Sequence, residues 1–188
     1  MRRIHHLAIT LATLFGLVIG GASAAQAADP ENTLLLELRT GTVVIEMLPK
    51  LAPNHVARIK ELARQGFYDG TPFHRVIGGF MAQGGDPTGT GTGGSGKKLK
   101  AEFSNEPHVR GICSMARSAS EDSADSQFFL MLGTTPSLDG KYTVWGRVVE
   151  GMENVDQIRK GNPAENGKVS NPDKIVSMKV AADVKTGK

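Results

Sequence analysis

The sequence predicts a mainly β fold, a closed or sandwiched antiparallel sheet with two helices packed on it. Three observations carry this. The apolar runs are short and numerous, Gly, Pro, Asn and Asp punctuate them, and only two stretches show helical periodicity. Strands alternating strictly with helices would indicate a parallel sheet, and that pattern is absent.

The first stretch stands apart from the fold. "MRRIHH" is a positive start, and "LAITLATLFGLVIGG" is an apolar run shorter than the ~20 residues a spanning helix needs. Ala25-x-Ala27 is a small-residue cleavage pattern. Residues 1–27 therefore read as a removed export signal, and 28–188 as a single domain. Cleavage removes Arg2 and Arg3 and no acid, so Lys+Arg falls from 22 to 20 against 19 Asp+Glu, and the net charge from +3 to +1. No block of like charge points to nucleic acid, and no membrane contact is expected once the signal is gone. Cys113 is the single cysteine, so it has no internal disulfide partner and is expected as a small buried apolar residue.

The remaining elements follow in order. "TLLLELRTGTVVIEML", from residue 33, reads as two strands joined near Thr40-Gly41, with Val43 and Val44 supplying β-branched character. In "PNHVARIKELARQGF" the residues Val56, Ile59, Leu62 and Ala63 share a helical face. Pro53 marks the start of that helix, and Gly66 lies just past its end. Further strands are expected at 80–83, 112–116, 128–132 and 142–149. "EGMENVDQIRKG" offers a second short helix with Met152, Val155 and Ile158 on one face. In the last strand, "KIVSMKVAAD", alternation places Val176, Met178 and Val180 on one side.

"PTGTGTGGSGKKL", residues 87–99, imitates a phosphate cradle. Gly89, Gly91 and Gly94 fit G-x-G-x-x-G, and the stretch from Gly91 to Lys97 comes within one residue of the nucleotide loop. The surroundings reject the imitation. Lys98 stands where a hydroxyl is required, and "KLKAEFSNEP" gives no helix to aim N–H groups at an anion. The run reads as a surface loop whose glycines allow close backbone approach.

Chemistry concentrates in three clusters: "FHRVIGGFMAQGGD" at 73–86, "SMARSASEDSADSQFFLML" from 114, and "SLDGKYTVWG" from 137. Taken singly, Arg75 would be an ordinary surface or salt-bridged arginine, and the aromatics would be core. Phe128 is expected in the core in any case, because adjacent strand residues face opposite ways. His74 reads as a structural, hydrogen-bonded histidine. His55, His74 and His108 show no metal-ligand spacing, and Glu121, Asp122 and Asp125 read as a solvated loop.

In this order the clusters resemble the cyclophilin family of peptidyl-prolyl cis-trans isomerases, from about residue 33 to 182, and "SMAR" with its short loops looks most like the bacterial exported branch. The resemblance implies a closed eight-stranded antiparallel barrel capped by two α-helices. It implies a catalytic Arg75 and an apolar cleft of Phe80, Met81, Phe129 and Leu138 for a proline ring. Gln83 and Gln127 would hydrogen-bond the peptide, Ala116 and the main chain at Arg117 would pair with it, and Gly91 and Tyr142 would complete the groove. Proline-containing peptides and unfolded exported proteins in a periplasm are the implied partners, with no cofactor or metal, and a monomer is expected. Ser137 stands where many eukaryotic members carry a tryptophan, so cyclosporin binding is expected to be weakened.

Overall fold

The computed structural model describes residues 29–184. The expected signal at 1–27 lies outside them. Eight strands appear in chain order: β1 (Thr33–Leu38), β2 (Gly41–Met47), β3 (Arg75–Ile77), β4 (Met81–Gly84), β5 (Ile112–Met115), β6 (Phe128–Met131), β7 (Val144–Glu150) and β8 (Ile175–Val180). Helix α1 (Pro53–Arg64) lies between β2 and β3, and the single-turn α2 (Met152–Asp156) between β7 and β8. All pairings are antiparallel, in the order β3-β4-β6-β5-β7-β2-β1-β8.

The expected closed barrel is corrected: the sheet is an open half-barrel, and no ladder joins its edges β3 and β8. The physical reason lies in the edge segments. Strand β3 is three residues long, and Pro72 ahead of it has no N–H to donate. The loop of residues 161–174 covers the edge instead. Gly167 accepts from Val76 N–H at 2.8 Å, Val169 N–H donates to His74 at 3.0 Å, and Pro72 and Lys174 form a single bridge.

A second correction concerns β8. Val176 is exposed, while Ile175, Met178 and Val180 are buried. Leu36 pairs with Met178 and Glu37 with Ser177, but Leu38 pairs with Ile175. Val176 is thus the extra residue of a bulge, which turns Ile175 inward and sends Val176 to solvent.

The two faces of the sheet bury different things. The main core gathers Leu36, Ile45, Val56, Ile59, Tyr68 and Trp145 with their neighbours between the sheet and α1. Phe128 sits in it, edge-on to Tyr68, Phe73 and Trp145 with ring centroids 5.6 to 6.4 Å apart. Phe129 joins a second cluster with Met81, Ile112, Met131 and Val144. Cys113 is buried as expected, and that burial raises its thiol pKa.

Helix α1 starts at Pro53 as read, and Gly66 beyond its end takes φ +66°. Its Ala52 cap offers no side-chain acceptor. Glu102, from a distant loop, supplies one. Its carboxylate accepts from Asn54 N–H and His55 N–H, both at 3.1 Å, from Asn54 Nδ2 at 2.7 Å, and lies 2.7 Å from His55 Nδ1. Burial pushes this carboxyl's pKa up, but the hydrogen bonds from His55 and Asn54 outweigh it and hold it below the ordinary value. A depressed carboxyl stabilises the fold above its unfolded pKa and loses that contribution as pH falls through the folded one. Glu102→Ala is therefore expected to cost about 2 kcal/mol in urea unfolding at neutral pH. The difference from wild type should shrink below the ordinary carboxylate range.

Candidate active site

The hairpin of β3 and β4 positions the first group. Arg75 lies opposite Gln83 in the ladder, so the two side chains leave the same face. Five N–H groups are available on the guanidinium, and three are committed. Nε donates to Asn166 O at 3.0 Å, one terminal nitrogen to Asn166 Oδ1 at 2.9 Å, and the other to Gln83 Oε1 at 3.1 Å. Burial lowers the Arg75 pKa, yet an arginine stays charged throughout the working range. The other two face no oxygen acceptor among the described residues, although one lies 4.0 Å from Met81 Sδ, a weak acceptor that a guest could displace.

That guest would occupy a cavity of about 100 Å³ which Arg75 lines. Such a volume suits one ring, well below the roughly 300–1,000 Å³ of drug-sized sites. Its apolar walls are Met81 and Phe129 from paired strands, Phe80 from the β3–β4 turn and Leu138 from the short turn Pro136–Leu138. Gln83, Ala116, Arg117 and Tyr142 complete it. Arg117 stacks its guanidinium on Tyr142, 4.7 Å from the ring centroid, while its Nε donates to Lys141 O at 3.0 Å. Strand pairing ends nearby. Ala116 N–H donates to Gln127 O, and Ser118 N–H turns away to the Ser123 hydroxyl. Main-chain groups at Arg117 make no hydrogen bond among the described residues.

Gln127 and Gly91 line a second cavity, of about 420 Å³, which shares Gln83, Ala116 and Arg117 with the slot. Gln127 Nε2 donates to Gly91 O at 3.0 Å and Gly93 O at 2.8 Å, and its Oε1 accepts from Gln83 Nε2 at 2.9 Å. The polarity of this chain is forced from both ends. Arginine only donates and carbonyls only accept, so neither glutamine amide can turn over. Gln83 keeps one amide hydrogen for a guest, and Gln127 keeps none.

The glycine run is organised by carboxylates, which take the place a phosphate would fill. Buried Asp86 accepts from Thr88 N–H and Gly91 N–H at 2.7 Å, the Thr88 hydroxyl at 2.8 Å and Gly93 N–H at 3.1 Å. Asp125 accepts from Ser95 N–H at 2.8 Å and Gly96 N–H at 2.9 Å. A Cβ on Gly93 would run into Asp86 Oδ1, and one on Gly94 would lie 2.6 Å from Asp125 Oδ2. The N–H groups a nucleotide would need are already taken. Asp125 and Asp122, which accepts from Ala101 N–H at 2.8 Å, thus hold loops in place, where the sequence suggests only a solvated segment.

His74 departs from expectation as well. Neither ring nitrogen has a hydrogen-bond partner among the described residues, and the ring is buried beneath Gly91. Burial lowers its pKa and so favours the neutral ring. Asn166 escapes sequence reading altogether. It is the one non-glycine residue with positive φ among those described, at +54°. The pair Asn166-Gly167 is a turn signal, but nothing local ties it to Arg75, 91 positions away.

Burial pushes Asp86 up, yet the Thr88 hydroxyl and the N–H groups of Thr88, Gly93 and Gly91 outweigh it and hold it at about 2. Asp86→Asn presents an NH₂ to at least one backbone N–H whichever way its amide turns. Expected are a loss of about 2 kcal/mol in chemical denaturation and faster amide exchange at Gly91 and Gly93. The wild-type advantage should persist down to the unfolded carboxyl's pKa of about 4 and vanish as pH falls through about 2.

Comparison with known proteins fits this geometry. The family model "Cyclophilin type peptidyl-prolyl cis-trans isomerase/CLD" matches residues 33–180. A probable peptidyl-prolyl cis-trans isomerase of Brucella suis is 52% identical, with 95% of this chain and 97% of that protein covered. The peptidyl-prolyl cis-trans isomerase of Helicobacter pylori is 44% identical over 70% of this chain and 82% of its own. Among solved structures, cyclophilin AquaCyp293 from Hirschia baltica superposes with a TM-score of 0.75 at 31% identity, covering 85% of this chain and 77% of that one. A Cryptosporidium parvum cyclophilin-type isomerase, solved in the presence of the dipeptide Ala-Pro, gives 0.71 at 28% identity, covering 79% and 98%. On that family model and those relatives, the chain belongs to the cyclophilin-type peptidyl-prolyl cis-trans isomerases.

Proposed function

We propose that the slot between Arg75 and Phe129 is where this isomerase turns X–Pro bonds, and that its substrates are unfolded or flexible exported proteins in a bacterial periplasm. The observation that carries the site is the guanidinium of Arg75, fixed to oxygen acceptors at three N–H groups, with only the Met81 sulfur near the other two, beside an apolar, ring-sized cavity.

Amide resonance sets a barrier of roughly 18–20 kcal/mol, and the unaided rotation takes tens to hundreds of seconds. A gain of about 10⁵ corresponds to about 7 kcal/mol. No bond to another atom is made or broken, so this chain's residues need only favour the twisted geometry. The planar amide is the more dipolar form, and an apolar slot disfavours it relative to the twisted one. As the bond twists, the prolyl nitrogen becomes pyramidal and its lone pair, delocalised in the planar amide, becomes localised on it. One free Arg75 N–H would donate to that lone pair while the other holds a substrate carbonyl, an interaction that strengthens in the transition state. The open main chain at Arg117 would pair with the peptide as a strand does. Export rests on the sequence of residues 1–27, with its basic start, apolar run and Ala25-x-Ala27 pattern.

In a proline-peptide assay, Arg75→Ala is expected to lower kcat/KM by about 10²-fold or more. Arg75→Lys should not restore it, because a lysine cannot keep both Asn166 and Gln83 while donating to a guest. Unchanged catalysis in Arg75→Ala would sink the mechanism. The pH–rate profile should stay flat between about 6 and 8, since arginine does not titrate there and the rotation needs no proton transfer. Expressed in a Gram-negative host with its first 27 residues, the protein should appear in the osmotic-shock fluid with Ala28 at its N-terminus; retention of residues 1–27 in the cytoplasm would overturn the export reading.

A further inference from the structure

Behind the slot wall lies a hydrogen-bonded series that the isomerase reading does not use. His108 Nδ1 is 3.0 Å from Asp139 Oδ1, and its Nε2 is 2.9 Å from Ser114 Oγ. The order Ser–His–Asp is that of an acyl-transfer triad. Its setting excludes that chemistry: Ser114 and His108 are buried at 0% and 1% exposure, so no substrate carbonyl reaches the hydroxyl.

What His108 touches is the slot. Its ring stacks on Phe129 at 6.2 Å with a 25° angle between planes, and meets Tyr142 edge-on at 6.4 Å. Its backbone N–H donates to Asp139 Oδ1 at 2.7 Å, and its carbonyl accepts from Thr135 N–H at 2.9 Å. Both bonds anchor the segment that carries Leu138 and leads to Tyr142. Ser114, at the other end, pairs with Phe129 across β5 and β6. An ionised Asp139 only accepts, so Nδ1 carries the proton, and in the neutral ring Nε2 accepts from the Ser114 hydroxyl. One side chain thereby fixes its own plane against Phe129 from both nitrogens.

We propose that His108 is a positioning residue for the proline slot, clamping Phe129, Leu138 and Tyr142 into one rigid wall. This rests on the slot being the proline site. The wall grips the proline ring, whose shape does not change as the amide twists, and loosening the grip leaves the slot apolar, so uniform binding is what is lost: KM rises and kcat stays. Arg75 lies outside the clamp and retains its partners.

The test measures KM and kcat separately, by NMR exchange on an Ala-Pro tetrapeptide, for His108→Phe, His108→Asn, Phe129→Ala and the distant core control Leu36→Val. His108→Phe keeps a ring against Phe129 but loses both polar anchors; it is expected to raise KM about tenfold with kcat within twofold. His108→Asn puts an amide donor near the position of Nδ1, keeps the Asp139 tie and should raise KM only about threefold. It also serves as the test if the phenylalanine variant does not fold. Leu36→Val should leave KM unchanged. An unaltered KM in both His108 variants, or an equal rise in Leu36→Val, overturns the proposal. If Phe129→Ala also leaves KM unchanged, the placement of the proline site fails, and the clamp fails with it. Labelling of Ser114 by a fluorophosphonate would overturn the positioning role in favour of a nucleophile.

Discussion

A guanidinium can only donate and a carbonyl can only accept, and the working face of this molecule is arranged between those two fixed polarities. Arg75 stands at one end, and the carbonyls of Gly91 and Gly93 at the other. Gln83 and Gln127 bridge them in the one orientation that satisfies every contact. Asn166, held in a left-handed conformation, grips the arginine from the opposite side through both its carbonyl and its amide oxygen. The charge beside the slot is therefore set before any guest arrives, which is what electrostatic stabilisation of a twisting bond would require.

The same network explains the glycine run. Backbone N–H groups that could cradle a phosphate instead wrap the carboxylates of Asp86 and Asp125. Gly93 and Gly94 must lack a Cβ because those carboxylates come so close. With its N–H groups turned inward, the loop presents carbonyls of Gly91 and Gly93 to Gln127. A pattern that imitates anion binding is satisfied by the protein's own anions.

Period-two alternation connects the two halves of the molecule. Phe128 faces the main core, where it meets Tyr68 and Trp145, and Phe129 faces the slot, where it meets His108 and Tyr142. A shift of one residue in β6 would exchange core and slot wall. The half-barrel leaves β3 at an edge, which frees Arg75 to meet a loop residue such as Asn166.

Much of this was legible in the one-dimensional pattern. Alternation, helical spacing, Pro53 and Gly66 set out the strands and α1; the slot residues around Arg75, Phe129 and Leu138 followed only from the family resemblance that the ordered clusters carry. Other features could not be read that way. The Val176 bulge depends on register with β1, the cap of α1 comes from Glu102 nearly fifty positions away, and the grip of Asn166 on Arg75 spans 91. Closure of the sheet was overestimated because an edge is defined by what pairs with it, not by the composition of the strand itself. Local chemistry determines which residues can form a strand, a turn or a cap; which distant donor meets which acceptor is decided only when the chain has folded and its buried polar groups compete for partners.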